Sequence, residues 1–302
     1  MSYHLEVALA HRAVLGEGPV WDNRRNVLFW IDSLANKAFI FNPKTGENKA
    51  YDVGENIGTL VLTQRDDTVL VGLETGLYEL NLTTGKLNKR VNPEPNSPDN
   101  RLNDGKPDPM GRLWIGSMCK ADNGVEGFDT DYKCNLHRID ADFSCHVMDP
   151  KIRLSNGMAW TQDNKTFYYI DSPTRQIYAY DFDLKAGTVC NRRPCVEFSA
   201  ELGVGDGMDI DVDGNLWVAH WTGWSVVKWD PRSGKMLEKI DIPVCRVASC
   251  AFGGENYDKL YIVTASVNSD KDGKAQPQAG YLFVADNLGT KGLPFNRFGG
   301  IK

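Results

Sequence analysis

Four short phrases in this chain place an oxygen-bearing side chain before a glycine. They are Glu17-Gly18, Asn156-Gly157, Asp206-Gly207 and the "NDG" of Asn103, Asp104 and Gly105. Singly, each reads as a turn, because Asp and Asn hydrogen-bond to nearby backbone and glycine accepts turn dihedrals. Glu17 fits that reading worst. What joins the four is spacing. Glu17 and Asn156 lie eleven residues before Leu28 and Phe167, and Asn103 and Asp206 lie ten before Leu113 and Leu216. Each of those four apolar residues is the first after a polar turn. If the spacing brings the phrases together, two carboxylates and an amide oxygen share one place. They would repel one another and resist desolvation, and a cation relieves both costs. An oxygen set without Cys or His favours a hard ion, Ca²⁺ or Mg²⁺, over a structural zinc. Carboxylate oxygens also take Zn²⁺ and Mn²⁺.

The elements that must position these residues are visible as a repeat. Six segments share a strand, a turn rich in Asp, Asn and Gly, and an apolar strand, among them "VWDNRRNVLFWID", "AWTQDNKTFYYID" and "DIDVDGNLWVAHW". The first apolar residue after each turn is Leu28, Val69, Leu113, Phe167, Leu216 and Leu260, at spacings of 41, 44, 54, 49 and 44. A third strand and, in most units, a Gly-bearing turn and a fourth strand follow. No amphipathic stretch of helical period appears. Four short antiparallel strands repeated at this period predict an all-β, six-bladed β-propeller, one domain over 1–302. Residues at one repeat position then converge on the central channel, so Asp206, Glu17, Asn156 and either Asn103 or Asp104 form a ring at one end. The equivalent positions in the second and sixth units fall near Gly58 and Ser249.

Basic and aromatic residues complete the candidate site. Arg101 is a fork donor suited to a carboxylate or polarised carbonyl, against the plainer reading of a solvated surface arginine. Lys106 is expected at the surface. Lys120 either overhangs the channel mouth or sits exposed on a loop. His220 is expected between blades, and Trp114, Trp217 and Trp229 in the inter-blade core. "DIDVDGN" from Asp209 mimics part of a calcium loop but lacks the closing Glu and the helices, so it reads as a hairpin turn. The segments 119–133 and 268–280 are expected as surface insertions.

Composition narrows the class. A net charge of −6 argues against a nucleic-acid partner. No signal peptide and no apolar run long enough to span a bilayer is legible, so the expectation is a cytoplasmic protein without a membrane partner. Seven scattered cysteines without a CxxC pair read as reduced thiols, a Cys190–Cys195 disulfide being the weaker alternative.

Together, "LGEGPVWD", "RLNDGKPDPMGRLWIGSM", "NGMAWTQDNKTFYYID", "DGMDIDVDGNLWVAHW" and "ASCAFGGENYDKLYIVTA" resemble the SMP-30/gluconolactonase/LRE family, in order and over essentially the whole chain. The resemblance implies a six-bladed propeller with one divalent metal ion in the channel and activity on sugar-acid lactones such as gluconolactone. Glu17, Asn156 and Asp206 match the family's metal ligands, and Asp206 also matches its proposed general base. Arg101 and Asn103 match residues that contact the substrate. The chain departs after "GSM", where regucalcin-like members carry acidic residues and Lys120 and Ala121 stand here. Lys120 is therefore a candidate substrate contact, and a more acidic or differently shaped lactone is consistent with it. The segment 122–132 is expected to reshape the entrance. The leading expectation is a metal-dependent lactonase with a small-molecule lactone as partner. The alternatives are a non-enzymatic calcium-binding regulatory protein, or an esterase or organophosphate hydrolase on the same scaffold.

Overall fold

A computed structural model describes residues 3–122, 133–269 and 273–301. Among the described residues, twenty-four strands form six antiparallel sheets of four. The described residues include short 3-10 turns, at Lys120–Asp122, Ser172–Thr174 and Ala200–Leu202, and no α-helix. In five sheets the strands follow chain order, as in the first: Gly16–Asp22, Val27–Asp32, Lys37–Phe41, Asn48–Asp52. The innermost strands are Gly16–Asp22, Ile57–Leu62, Asn100–Pro107, Ser155–Trp160, Val204–Ile210 and Val247–Gly253. Each contacts the innermost strand of the next sheet, and the last contacts the first, so the ring is closed. This is the six-bladed β-propeller expected from the repeat.

The blades hold together through one apolar cluster per interface. Phe29 and Ile31 of blade 1 pack with Leu60 and Val71 of blade 2. Trp114 of blade 3 packs with Phe167 and Tyr169 of blade 4, and Trp217 of blade 5 with Phe252 and Ile262 of blade 6. Blades 6 and 1 meet through Trp21, Leu28, Tyr261 and Val263. Sheets covered on both faces need apolar residues on both, and the second strands, such as Val27–Asp32 and Leu216–Trp221, are buried throughout. The expected core tryptophans Trp114, Trp217 and Trp229 all belong to these clusters.

Both ends of the described chain lock the ring. The fourth strand of blade 6 is His4–Leu9, antiparallel to Leu282–Asp286, which covers an otherwise open sheet edge. The C-terminal stretch crosses the end of the ring where the innermost strands finish. Gly292 pairs with Asp211 of blade 5 and Phe298 with Thr63 of blade 2. Asn296 Nδ2 donates to Pro107 O of blade 3, and Arg297 pairs with Asp22 of blade 1.

The hairpin turns carry carboxylates with purely structural duties. Asp211 accepts from the Asp213 and Asn215 amides and from Trp217 Nε1, and pairs with Lys228 at 3.0 Å. "DIDVDGN" is therefore the expected hairpin turn. All seven cysteines are thiols, Cys190 and Cys195 included. Among the described residues, no helix is long and apolar enough to cross a membrane.

Candidate active site on the channel axis

Register explains how the four phrases meet. Leu28, Leu113, Phe167 and Leu216 pair with Trp21, Pro107, Trp160 and Ile210 on the innermost strands. Glu17, Asn103, Asn156 and Asp206 each lie four residues before that partner. The same count gives Gly58 in blade 2 and Ala248 in blade 6, which bring no polar side chain; the sixth position is thus one residue before the Ser249 expected. All six innermost strands also shift register at this level, by one extra residue. Such a bulge re-aims side chains out of the pleat. It repeats in every blade, so it builds the ring rather than disturbing one strand.

The glycines have a packing cause. A Cβ on Gly157 would lie 2.7 Å from Asp206 O of the next blade, and one on Gly207 would lie 2.0 Å from Ser249 Oγ. The innermost strands approach closely here, and only glycine permits it.

Glu17, Arg101, Asn103, Asn156 and Asp206 line one cavity of about 390 Å³ with an apolar wall of Leu15, Met118, Leu154, Val204 and Trp221. Asp104 lies outside it, lining a second cavity further along the channel with Lys106 and Ser249. Asn103 is thus the ring member of "NDG". A hydrogen-bond chain fixes the amides: Arg101 Nη1 donates to Asn103 Oδ1 (3.1 Å), Asn103 Nδ2 to Asn156 Oδ1 (3.0 Å), Asn156 Nδ2 to Ser172 Oγ (2.7 Å), and Ser172 Oγ to Gly205 O (2.6 Å). Asn156 therefore spends its nitrogen on Ser172 and keeps an oxygen lone pair.

The carboxylates are under electrostatic load. Burial, then repulsion from Asp104, raises Glu17 from 4.5 to about 8, against the Gly18 amide and Arg101. Burial, then Glu17 and Asp104, pushes Asp206 well above the usual carboxylate range. Asp104 is raised by burial, with Lys106 opposing. Arg101 is buried, so the surface-arginine reading is excluded; burial draws it down to about 10 while Glu17 and Glu74 hold it up. It remains charged at neutral pH.

Two acids that repel each other beside an oriented amide oxygen form a donor set that suits a hard divalent cation. Among the described residues no three His, Cys, Asp or Glu gather around a metal-sized point. The candidate set is therefore two carboxylates and an amide, without histidine or thiolate.

Other expected residues fall elsewhere. Lys120 does not line the axial cavity. Its Nζ pairs with Glu74 at 2.8 Å in an adjoining cavity that shares Arg101. Lys106 is half-buried rather than at the surface, because its Nζ donates to Met208 O, lies 3.6 Å from Asp209 and sits over the Phe295 ring. His220 is packed between blades as expected. Trp229 Nε1 donates to its Nε2, so Nδ1 carries the proton toward Leu202 O. Burial holds it at about 3. Residues 123–132, within the segment expected to reshape the entrance, lie outside the described residues. Sequence reasoning missed Ser172, which orients Asn156; its place after the second strand of blade 4 carries no motif.

A closed six-bladed propeller with a polar site where its innermost strands converge defines a class of axial-site propellers. Within that class, the chain belongs to the SMP-30/gluconolactonase/LRE-like family, whose model matches residues 15–266. Regucalcin of Gallus gallus is 34% identical over 300 residues, 99% of this chain and 99% of its own. A Bacillus subtilis (strain 168) protein, YvrE, named as a sugar lactone lactonase, is 35% identical over 287 residues, 94% and 96% of the two chains. The solved structure of a luciferin-regenerating enzyme superposes with a TM-score of 0.92 at 30% identity, over 99% of this chain and 100% of its own. The fold is that of the family's sugar lactonases.

Proposed function

We propose that this protein hydrolyses sugar-acid lactones in the axial cavity and depends on a divalent cation held by Glu17, Asn156 and Asp206. The observation that supports it best is the shared register of four blades, which sets two mutually repelling acids and a fixed amide oxygen beside a buried arginine. The Bacillus subtilis relative named for lactonase activity points the same way. Ca²⁺ and Zn²⁺ are the leading candidates, with Mn²⁺ and Mg²⁺ behind them.

A bound cation supplies Lewis-acid polarisation of the lactone carbonyl and offsets the charge of Glu17 and Asp206. The chain supplies the rest. Arg101, its Nη1 held by Asn103 Oδ1, orients the lactone through the donors it has left, and Asn103, whose Nδ2 is spent on Ser155 O and Asn156 Oδ1, keeps that arginine in place. Asp206 takes the proton of the attacking water and returns one to the ring oxygen as it leaves. The apolar wall of Leu15, Val204 and Trp221 excludes bulk water and strengthens these interactions.

The test is a pH-indicator hydrolysis assay on metal-stripped protein, with aldonolactones and each of Ca²⁺, Zn²⁺, Mn²⁺ and Mg²⁺ added in turn. Restored turnover in the wild type, with Glu17→Ala and Asp206→Ala losing metal and activity together, is the expected result. Full activity in either variant overturns the mechanism. Tight calcium binding with no turnover on any lactone favours the regulatory reading instead.

A further inference from the structure

Beside the axial cavity lies a second one of about 640 Å³, and Arg101 belongs to the walls of both. Its other charged lining groups are Glu74, Lys89, Glu94 and Lys120. Glu94 is already committed. It is buried and accepts from Asn100 Nδ2 (2.7 Å), Ser117 Oγ (2.7 Å), Asn135 Nδ2 (2.8 Å) and His137 Nε2 (2.9 Å). A carboxylate with four donors has little field left to offer a ligand. Among the described residues lining it, that leaves three cations, Arg101, Lys89 and Lys120, against one acid, Glu74. Glu74 and Lys120 are both about a third exposed, and a pair so wet is weak and readily exchanged.

Arg101 carries the second observation. Its Nη1 is spent on Leu102 O and Asn103 Oδ1. Its Nε is buried and meets no hydrogen-bond partner. The Nε–Nη2 edge of a guanidinium is the edge that takes two oxygens of one anion. A buried donor without a partner is costly unless a ligand satisfies it.

We infer that this cavity is an anion subsite: the lactone carries a second anionic group, carboxylate or phosphate, remote from the ring carbonyl, and Arg101 and Lys120 clamp it. The inference rests on the lactonase reading above. Glu74 then acts as a competitor for Lys120 that is displaced when the anionic group enters. The chemistry is shared by a sugar-diacid monolactone and a phosphorylated aldonolactone.

The experiment compares kcat/KM for a neutral aldonolactone, its 6-carboxylate analogue and its 6-phosphate analogue, in the wild type, Lys120→Ala and Glu74→Gln. The readout is the ratio of anionic to neutral substrate. We expect the wild-type ratio to exceed one, to fall roughly tenfold in Lys120→Ala and to rise in Glu74→Gln, since one charge-assisted contact is lost or freed. The better of the two anionic substrates tells carboxylate from phosphate. Calorimetry with the corresponding open-chain acids gives a readout that does not need turnover. Diacid or phospho-acid should bind tighter than the monoacid, and Lys120→Ala should erase the difference. A ratio at or below one, or one that both substitutions leave unmoved, overturns the anion subsite while leaving the lactonase intact. No turnover of any lactone, with the binding preference present, overturns the lactonase reading and keeps the subsite.

Discussion

Glutamine in place of Glu17 should make the metal-free protein more stable at neutral pH, although Glu17 is one of the proposed cation ligands. In the folded metal-free protein the carboxyl holds its proton up to about 8; in the unfolded chain it releases it near 4.5. Below 4.5 both states are protonated and nothing depends on pH. Between the two values only the unfolded state ionises, so stability falls as pH rises, and the loss is complete above about 8. At about 1.4 kcal/mol per pH unit, the penalty at pH 7 comes to roughly 3 kcal/mol. Glu17 is only partly buried, so about 1–3 kcal/mol is the working figure. Asp206, raised by the same neighbours, adds in the same direction. The assay is urea denaturation of wild type and Glu17→Gln with a chelator between pH 5 and 8.5. The wild type should lose stability across that range and the variant lose less. Adding the divalent cation should reverse the order at pH 8, because binding stabilises only the form that holds it. A flat wild-type profile in chelator, or a Glu17→Gln protein less stable than wild type at pH 8, refutes the claim that these acids are strained without a cation.

Gly157→Ala should cost about 1–3 kcal/mol, since the new Cβ meets Asp206 O at 2.7 Å and Met208 N at 2.9 Å, neither of which can swing away. Because that contact moves the strand bearing Asp206, calorimetry should show weaker cation binding as well as a lower melting temperature. Arg297→Ala removes a partner of the buried Asp22 and the donor to Thr63 O at the far end of the channel. It should destabilise by about 1–3 kcal/mol in urea, with KM for the lactone unchanged.

The blades were legible because their signals are local. Turn chemistry and alternating short strands recur within some forty to fifty residues, and counting from each turn put Glu17, Asn156 and Asp206 in register. "NDG" stayed ambiguous because a one-residue bulge decides whether Asn103 or Asp104 enters the ring, and strand periodicity does not reveal a bulge. Arg101 kept a surface reading beside the functional one, since its burial depends on neighbours from other blades. Lys106 was misplaced for the same reason: Asp209, Met208 and Phe295, which surround it, lie more than a hundred residues away in sequence. His4–Leu9 shows no repeat of its own because it completes a blade begun at the other end of the chain. The partner of Lys120, Glu74, comes from a different blade, so the sequence showed the lysine but not the cavity it shares.

A six-fold scaffold offers the same inward vector six times, and an even ring would present identical faces to a ligand turned either way. This ring is uneven. From blade 1 to blade 6 it runs acid, blank, amide, amide, acid, blank: Glu17, Gly58, Asn103, Asn156, Asp206, Ala248. No mirror line passes through that order. The mouth therefore has a hand set by which repeat carries which residue, beyond the twist of the strands. A small ring-shaped molecule seated on the axis and its mirror image would meet different neighbours at every substituent. Stereochemical choice is thus written into the differences between blades that are otherwise copies of one another.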